Sequence, residues 1–232
     1  MNAIDPVALL AALQLADSFF PTGAYAHSQG LEGMVWRGLV TSAAEVEEFL
    51  RNSLAWALIP ADGVALLNAH CAALAGDDAL LATIDHALHA LKLAGELRSA
   101  SRQVGRRLLA ETATFADDDR RRQYHAAVMA GATPGHAAVA LGSIAAAQEI
   151  PAMVALLAFC HGHAVGILGA AMRLLPLTHT QVQGILRALH PVIARESHRI
   201  ERRRWQQMRA FTPELDLIAI GHETDDLRQF AS

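Results

Sequence analysis

The run AMVALLAFCHGHAVGILGAAM, residues 152–172, contains no Asp, Glu, Lys or Arg, and its reading decides the fold. It is long enough to cross a bilayer as a helix. His161, Gly162 and His163 nevertheless occupy its midpoint, and polar side chains are costly in hydrocarbon. The segment therefore reads as a helix buried on all sides of a soluble bundle rather than as a membrane span. Composition points the same way. Hydrophobic residues make up 53% of the 232-residue chain and aromatics only 5%, so Ala, Leu, Ile and Val must build the core. Ala and Leu are strong helix formers, and runs of β-branched residues are few. The length suits one compact domain, residues 1–232, with a sizeable core.

Periodicity predicts an all-α, single-domain helical bundle of roughly ten helices, because strand-type alternation never lasts while 3.6-residue spacing recurs. Ser42-Ala43-Ala44-Glu45 is a capping-box pattern, followed by the stripe Val46, Phe49, Leu50, Leu54, Ala57 and Leu58. Pro60 is expected to end that helix, and a second runs from after Asp62 toward Gly76. Ala94, Leu97, Ser101, Val104 and Leu108 fall three and four apart, which puts Ser101 on a buried face. Residues 116–122, ADDDRRR, look like a helix start with acids at the positive end of the dipole and a solvated cap. A turn at Gly131–Gly135 precedes two apolar helices split near Pro151. Beyond Pro176, a stripe from Val182 to Trp205 predicts one helix over 180–209, and Thr212-Pro213 opens a short last helix and a polar tail, residues 212–232.

The formal charge of -4 gives no general attraction to nucleic acid or anionic membrane. Two cysteines, Cys71 and Cys160, and the lack of a charged-then-apolar leader fit a cytoplasmic protein without disulfides. Twelve histidines raise the question of metal. The densest clusters, Cys160-His161-Gly162-His163 and His70-Cys71, do not have tetrahedral-site spacing, so His161 or His163 reads as a polar group hydrogen-bonded in the core. His86 and His89 could share a ligand on an exposed face. No phosphate-cradling glycine loop, nucleophile with base, or carboxylate pair stands out, and Asp17, His27 and Ser28 are triad residue types without a geometry. Arg195, Arg199, Arg202, Arg203 and Arg204 make a basic stretch open to three readings: a solvated face, a nucleic-acid contact or an interface for an acidic protein surface. Glu96 and Arg98 point about 200° apart on a helix, so each needs a partner elsewhere.

Three further stretches are specific. Near the N-terminus stands LQLADSFFPTGAYAHSQGLEG, residues 13–33; then Glu96-x-Arg98-x-x-Ser101-x-x-x-Gly105-Arg106; and finally His222-Glu223 with Arg228-x-Phe230-x-Ser232. With Gly135-His136 and Arg173-Leu174-x-Pro176-Leu177 between them, they resemble the UreF family of urease accessory proteins over nearly the whole chain. The chain departs from the family pattern at Thr178-His179, where Gly-Gln is common, and at Gln229, where Leu is usual. The resemblance implies an all-α protein without catalytic activity. It implies a homodimer that joins UreD/UreH and the GTPase UreG and serves apo-urease through that complex. It also implies no tightly bound cofactor, nickel in transit, and a part in GTP-dependent metal transfer.

Residue chemistry and resemblance together select Tyr25, His27, Ser28, Glu32, Glu96, Arg98, Ser101, His222, Glu223, Arg228 and Phe230 for partner binding or metal passage. Pro21, Gly23 and Gly30 are expected to shape the backbone around them, with no catalytic residue and no fixed metal ligand. Aromatic and charged anchors of this kind dominate interfaces. The tail is too polar to bury much alone, and ordering on a partner is expected of it. The competing reading is a helical, histidine-rich metal-binding protein or metalloenzyme.

Overall fold

The computed structural model describes residues 4–115, 119–222, 229 and 230, and among them every regular element is helical. In chain order these are α1 (Pro6–Ala16), α2 (Leu31–Trp36), α3 (Ala43–Ser53), α4 (Val64–Ala75), α5 (Asp78–Leu91), α6 (Gly95–Glu111) and α7 (Asp119–Met129). They continue with α8 (Ala137–Ala147), α9 (Ala152–Leu174), α10 (His179–Ile200) and α11 (Pro213–His222). The expected all-α class is what the structure has.

Local chemistry sets most of the boundaries. Asp5 accepts from the Ala8 amide ahead of Pro6, and Asp77 accepts from Leu80 to start α5. Ser42 accepts from Glu45, while Glu45 reaches back to both the amide and the hydroxyl of Thr41, one residue earlier than a capping box requires. Thr178, one of the departures from the family pattern, caps α10 in a full capping box with Gln181.

Pro60 does not end its helix. Residues Leu54–Gly63 widen into a π-helical stretch that joins α3 to α4 in one helix, Ala43–Ala75. The Trp56 carbonyl, which cannot receive the usual bond from Pro60, accepts instead from the Phe211 amide at 2.9 Å, and the Pro60 carbonyl accepts from Arg209 at 3.1 Å. A tertiary strap thus bonds the main chain at Pro60 and four residues before it.

At the centre lies α8, buried from Ala137 to Ala146 and packed on α4 and α6. Small residues permit the approach: a Cβ on Gly142 would sit 2.6 Å from the Leu66 carbonyl, and one on Gly105 would collide with the backbone of Gly135 and Ala137. Three other expectations fail. The helix α9 is not buried on all sides, since its most apolar window is only 33% buried; α1, α2, α8 and α10 cover part of it. By length and composition both α9 and Ala43–Ala75 could cross a membrane, but 72% of the latter's window is packed inside the bundle. The helix α10 stops at Ile200, and Trp205–Gln207 form a separate 3-10 turn, so the stripe to Trp205 joins two elements. In α7, Arg121 is buried and donates to the Leu109 carbonyl at 2.8 Å instead of lying on a solvated cap; residues 116–118 lie outside the described residues.

Candidate partner-binding site

The N-terminal motif folds as a sequence of tight turns. Asp17 accepts from the Phe19 amide, Thr22 from Ala24, and Gly23 adopts φ 74° before the turn Ala24–Ala26. Gly30 adopts φ 86°, which L side chains rarely take, and a Cβ there would also press on the Leu215 Cδ1 of α11 at 2.5 Å. Ser28 then accepts from the Glu32 amide at 3.3 Å. Asp17 and Ser28 thus both bond local backbone amides, which does not build a triad with His27. The motif leaves Phe19 and Tyr25 outside, at 93% and 69% exposure, while His27, Ser28 and Glu32 are buried.

Glu32 is where distant parts of the chain meet. Its Oε2 lies 3.1 Å from His222 Nε2, and His222 Nδ1 lies 3.0 Å from Glu96 Oε2. Each ring nitrogen of His222 thus faces a carboxylate oxygen, one from α2 and one from α6. Glu32 also accepts from the amides of Gln229 at 2.8 Å and Phe230 at 3.2 Å. Gln229 is held through its backbone, so the departure from Leu there leaves this contact unchanged. Phe230 is buried, against the expectation for the tail, and the Arg173 guanidinium lies 4.1 Å from its ring centroid. Arg173 also donates to the Tyr25 carbonyl at 2.6 Å. One cluster therefore binds the motif, α6, α9, the end of α11 and the tail.

Beside it opens a cavity of about 180 Å³ lined by apolar residues of α1 and α9 and by Tyr25, His27, Asp62, Lys92, Ser101 and His163. Asp62 and Lys92 pair at 2.8 Å. His163 Nε2 is buried without a hydrogen-bond partner among the described residues, against the expectation of a bonded core histidine. Burial lowers its pKa to about 4 and also lowers that of His27, so both rings present neutral nitrogen.

Ser101 connects the cavity to a second buried network. It lies 3.0 Å from His136 Nδ1, and His136 Nε2 lies 3.1 Å from His89 Nδ1. Asp85 anchors the turn behind them, accepting from Tyr124, Thr133 and the amides of Gly135 and His136. Burial drives the His136 pKa down to about 2. His86 bonds the Ala132 carbonyl, so His86 and His89 serve different partners and do not share a ligand. Arg98 stays apart from the cluster: its guanidinium reaches back to the carbonyls of Lys92 and Leu93, a local partner where a distant one was expected.

The structure thus brings together Glu32, Glu96, His222 and Phe230, and places Tyr25, His27 and Ser101 around the neighbouring cavity. Glu223 and Arg228 lie outside the described residues. Arg173, Asp62, Lys92 and His163 were not among the expected site residues. Arg173 carried two signals: it is the first charged residue after the charge-free run 152–172, and it opens the Arg173-Leu174-x-Pro176-Leu177 motif. Among the described residues no three His, Cys, Asp or Glu side chains gather to hold a metal ion.

The fold and site define an all-α protein whose polar side chains hold remote chain segments together beside an exposed aromatic loop. Comparison with known proteins agrees. The UreF family model matches residues 40–190. The chain is 34% identical over 222 residues to "Urease accessory protein UreF 2" of Brucella abortus (strain 2308), covering 96% of this chain and 91% of the relative. It is 33% identical over 223 residues to "Urease accessory protein UreF" of Paenarthrobacter aurescens, covering 96% and 97%. The chain belongs to the UreF family of urease accessory proteins.

Proposed function

We propose that the chain is a non-catalytic scaffold, in the cytoplasm, for the assembly that loads nickel into apo-urease, joining UreD/UreH to the UreG GTPase and modulating GTP-dependent metal transfer. The observation that carries this reading is the Glu32–His222–Glu96 cluster, which fastens the N-terminal motif to the C-terminal segment beside exposed Tyr25 and Phe19. Interfaces draw their energy from aromatic anchors on a rigid support. Apolar surface supports association too: on α1, Val7, Leu10 and Leu13 are exposed, and α9 is only partly covered. We assign a homodimer contact to such surface.

Nickel enters this reading as cargo. The cavity beside the motif offers His27 and His163 as neutral imidazoles and Asp62 as a carboxylate, donors that can hand on a divalent cation without a closed ligand set. The test is the double variant Tyr25→Ala with His27→Ala. Unchanged helix content with loss of complex formation and of urease activation is expected. A folded variant that assembles and activates normally removes this loop from the interface.

A further inference from the structure

On another face, the π-helical stretch builds a groove that the proposed scaffold role does not use. Its walls are the π stretch, α10 and the strap that pairs Phe211 with Trp56 and Arg209 with Pro60. The opening encloses about 540 Å³ and is lined by Arg51, Arg195, Arg199, Arg203 and Arg209, with exposed Trp56 at one side. Glu47 takes up Arg51 at 2.6 Å, and Glu196 takes up Arg195 and Arg199 at 2.9 Å. Those two carboxylates answer three of the five guanidiniums. The side chains of Arg203 and Arg209 bond no described residue.

Such a concentration of positive charge in a chain of net charge -4 is local and directed. Ile59, Pro60, Val192 and Ile200 line the groove along with the arginines. Guanidiniums beside apolar lining, with an exposed indole, match alternating carboxylates and apolar side chains better than a uniform phosphate backbone. Arg199 Nη1 donates to both oxygens of Glu196, at 2.9 and 3.0 Å, which shows that guanidiniums of this groove engage carboxylates. Helices widened to π geometry are frequently placed at functional sites, and here the widening is what recruits the third wall.

We infer that this groove docks an acidic, partly apolar segment of a protein partner. The inference is independent of the nickel-loading role, because it is tested on the isolated chain. The probe is a short fluorescein-labelled peptide with glutamate at every second position and leucine between, followed by fluorescence anisotropy. Saturable one-to-one binding that weakens with salt is expected, with no binding of the matching glutamine peptide. Arg199→Glu and Arg203→Glu should each weaken it about tenfold, and Arg187→Glu, an exposed reversal elsewhere on α10, should leave it within about twofold. Circular dichroism confirms that each variant is folded. Equal binding of the glutamine peptide, or equal loss from Arg187→Glu, overturns the proposal. So does tighter binding of an oligothymidine that is abolished by the same two variants, which would make the groove a nucleic-acid site.

Discussion

His222 and Glu32 stand 190 positions apart in the chain and 3.1 Å apart in the fold, both almost wholly buried. A contact so distant in sequence closes most of the chain into one loop and forms only when the motif and α11 are both in place. Removing Glu32 leaves His222 with Glu96 alone and takes the acceptor from the Gln229 and Phe230 amides, each orphaned buried group costing about 1–3 kcal/mol. Glu32→Ala should therefore lower the stability measured by urea unfolding by that order, and should speed proteolysis of the C-terminal tail under native conditions. Glu96→Ala, which leaves the two tail amides bonded to Glu32, should expose the tail less.

Two glycines separate backbone need from chance. At Gly105 an added methyl would meet main-chain atoms of Gly135 and Ala137, which cannot move aside like a side-chain end. Gly105→Ala should destabilise by about 1–3 kcal/mol. At Gly184, within α10, nothing lies within 4 Å of the added carbon, so Gly184→Ala should stabilise by about 1 kcal/mol. Thermal melts of the pair check both signs.

Acid should weaken the fold before carboxylates protonate in bulk. Unfolded, an imidazole takes up its proton near pH 6.5. Folded, His163 resists until about 4 and His136 until about 2, and burial lowers His70 as well. Between those values the unfolded chain binds more protons, so this stability is complete above about pH 6.5 and lost as pH falls below it. Urea midpoints should drop from pH 7 to pH 5, and His163→Leu should make the drop shallower. Equal slopes in the two proteins would contradict this assignment.

The two thiols should differ sharply. Cys71 is exposed, while burial raises the pKa of Cys160 to about 12 and removes it from solvent. Native protein should consume one equivalent of a thiol-disulfide reagent, and urea-unfolded protein two. Two equivalents in the native state would show that α9 opens.

The fold class was legible because Ala and Leu spacing and the capping residues act locally, as at Ser42. Pro60 misled because a missing amide breaks a helix only if nothing else reaches the freed carbonyl, and its substitute, Phe211, comes from far along the chain. The end of α10 was hidden in the same way: Trp205 continues the apolar stripe but stands in a separate turn, its amide bonded to Asn68. Within the site, helix geometry marked Glu96 as needing a distant partner, but Glu32 and His222 were picked out with the help of family resemblance, since the contacts among the three are wholly tertiary. Phe230 was underestimated because its burial depends on Arg173 and Glu32, which no property of the tail reveals. The cavity's Lys92–Asp62 pair left no pattern at all.

The most direct test is the mass of the purified assembly after co-expression with UreD/UreH and UreG of the same source, by light scattering, with and without GTP and nickel. A defined complex that contains this chain and is lost when residues Leu227–Ser232 are deleted is the predicted result. A chain that stays alone, or an assembly of unchanged mass after the deletion, would contradict the account.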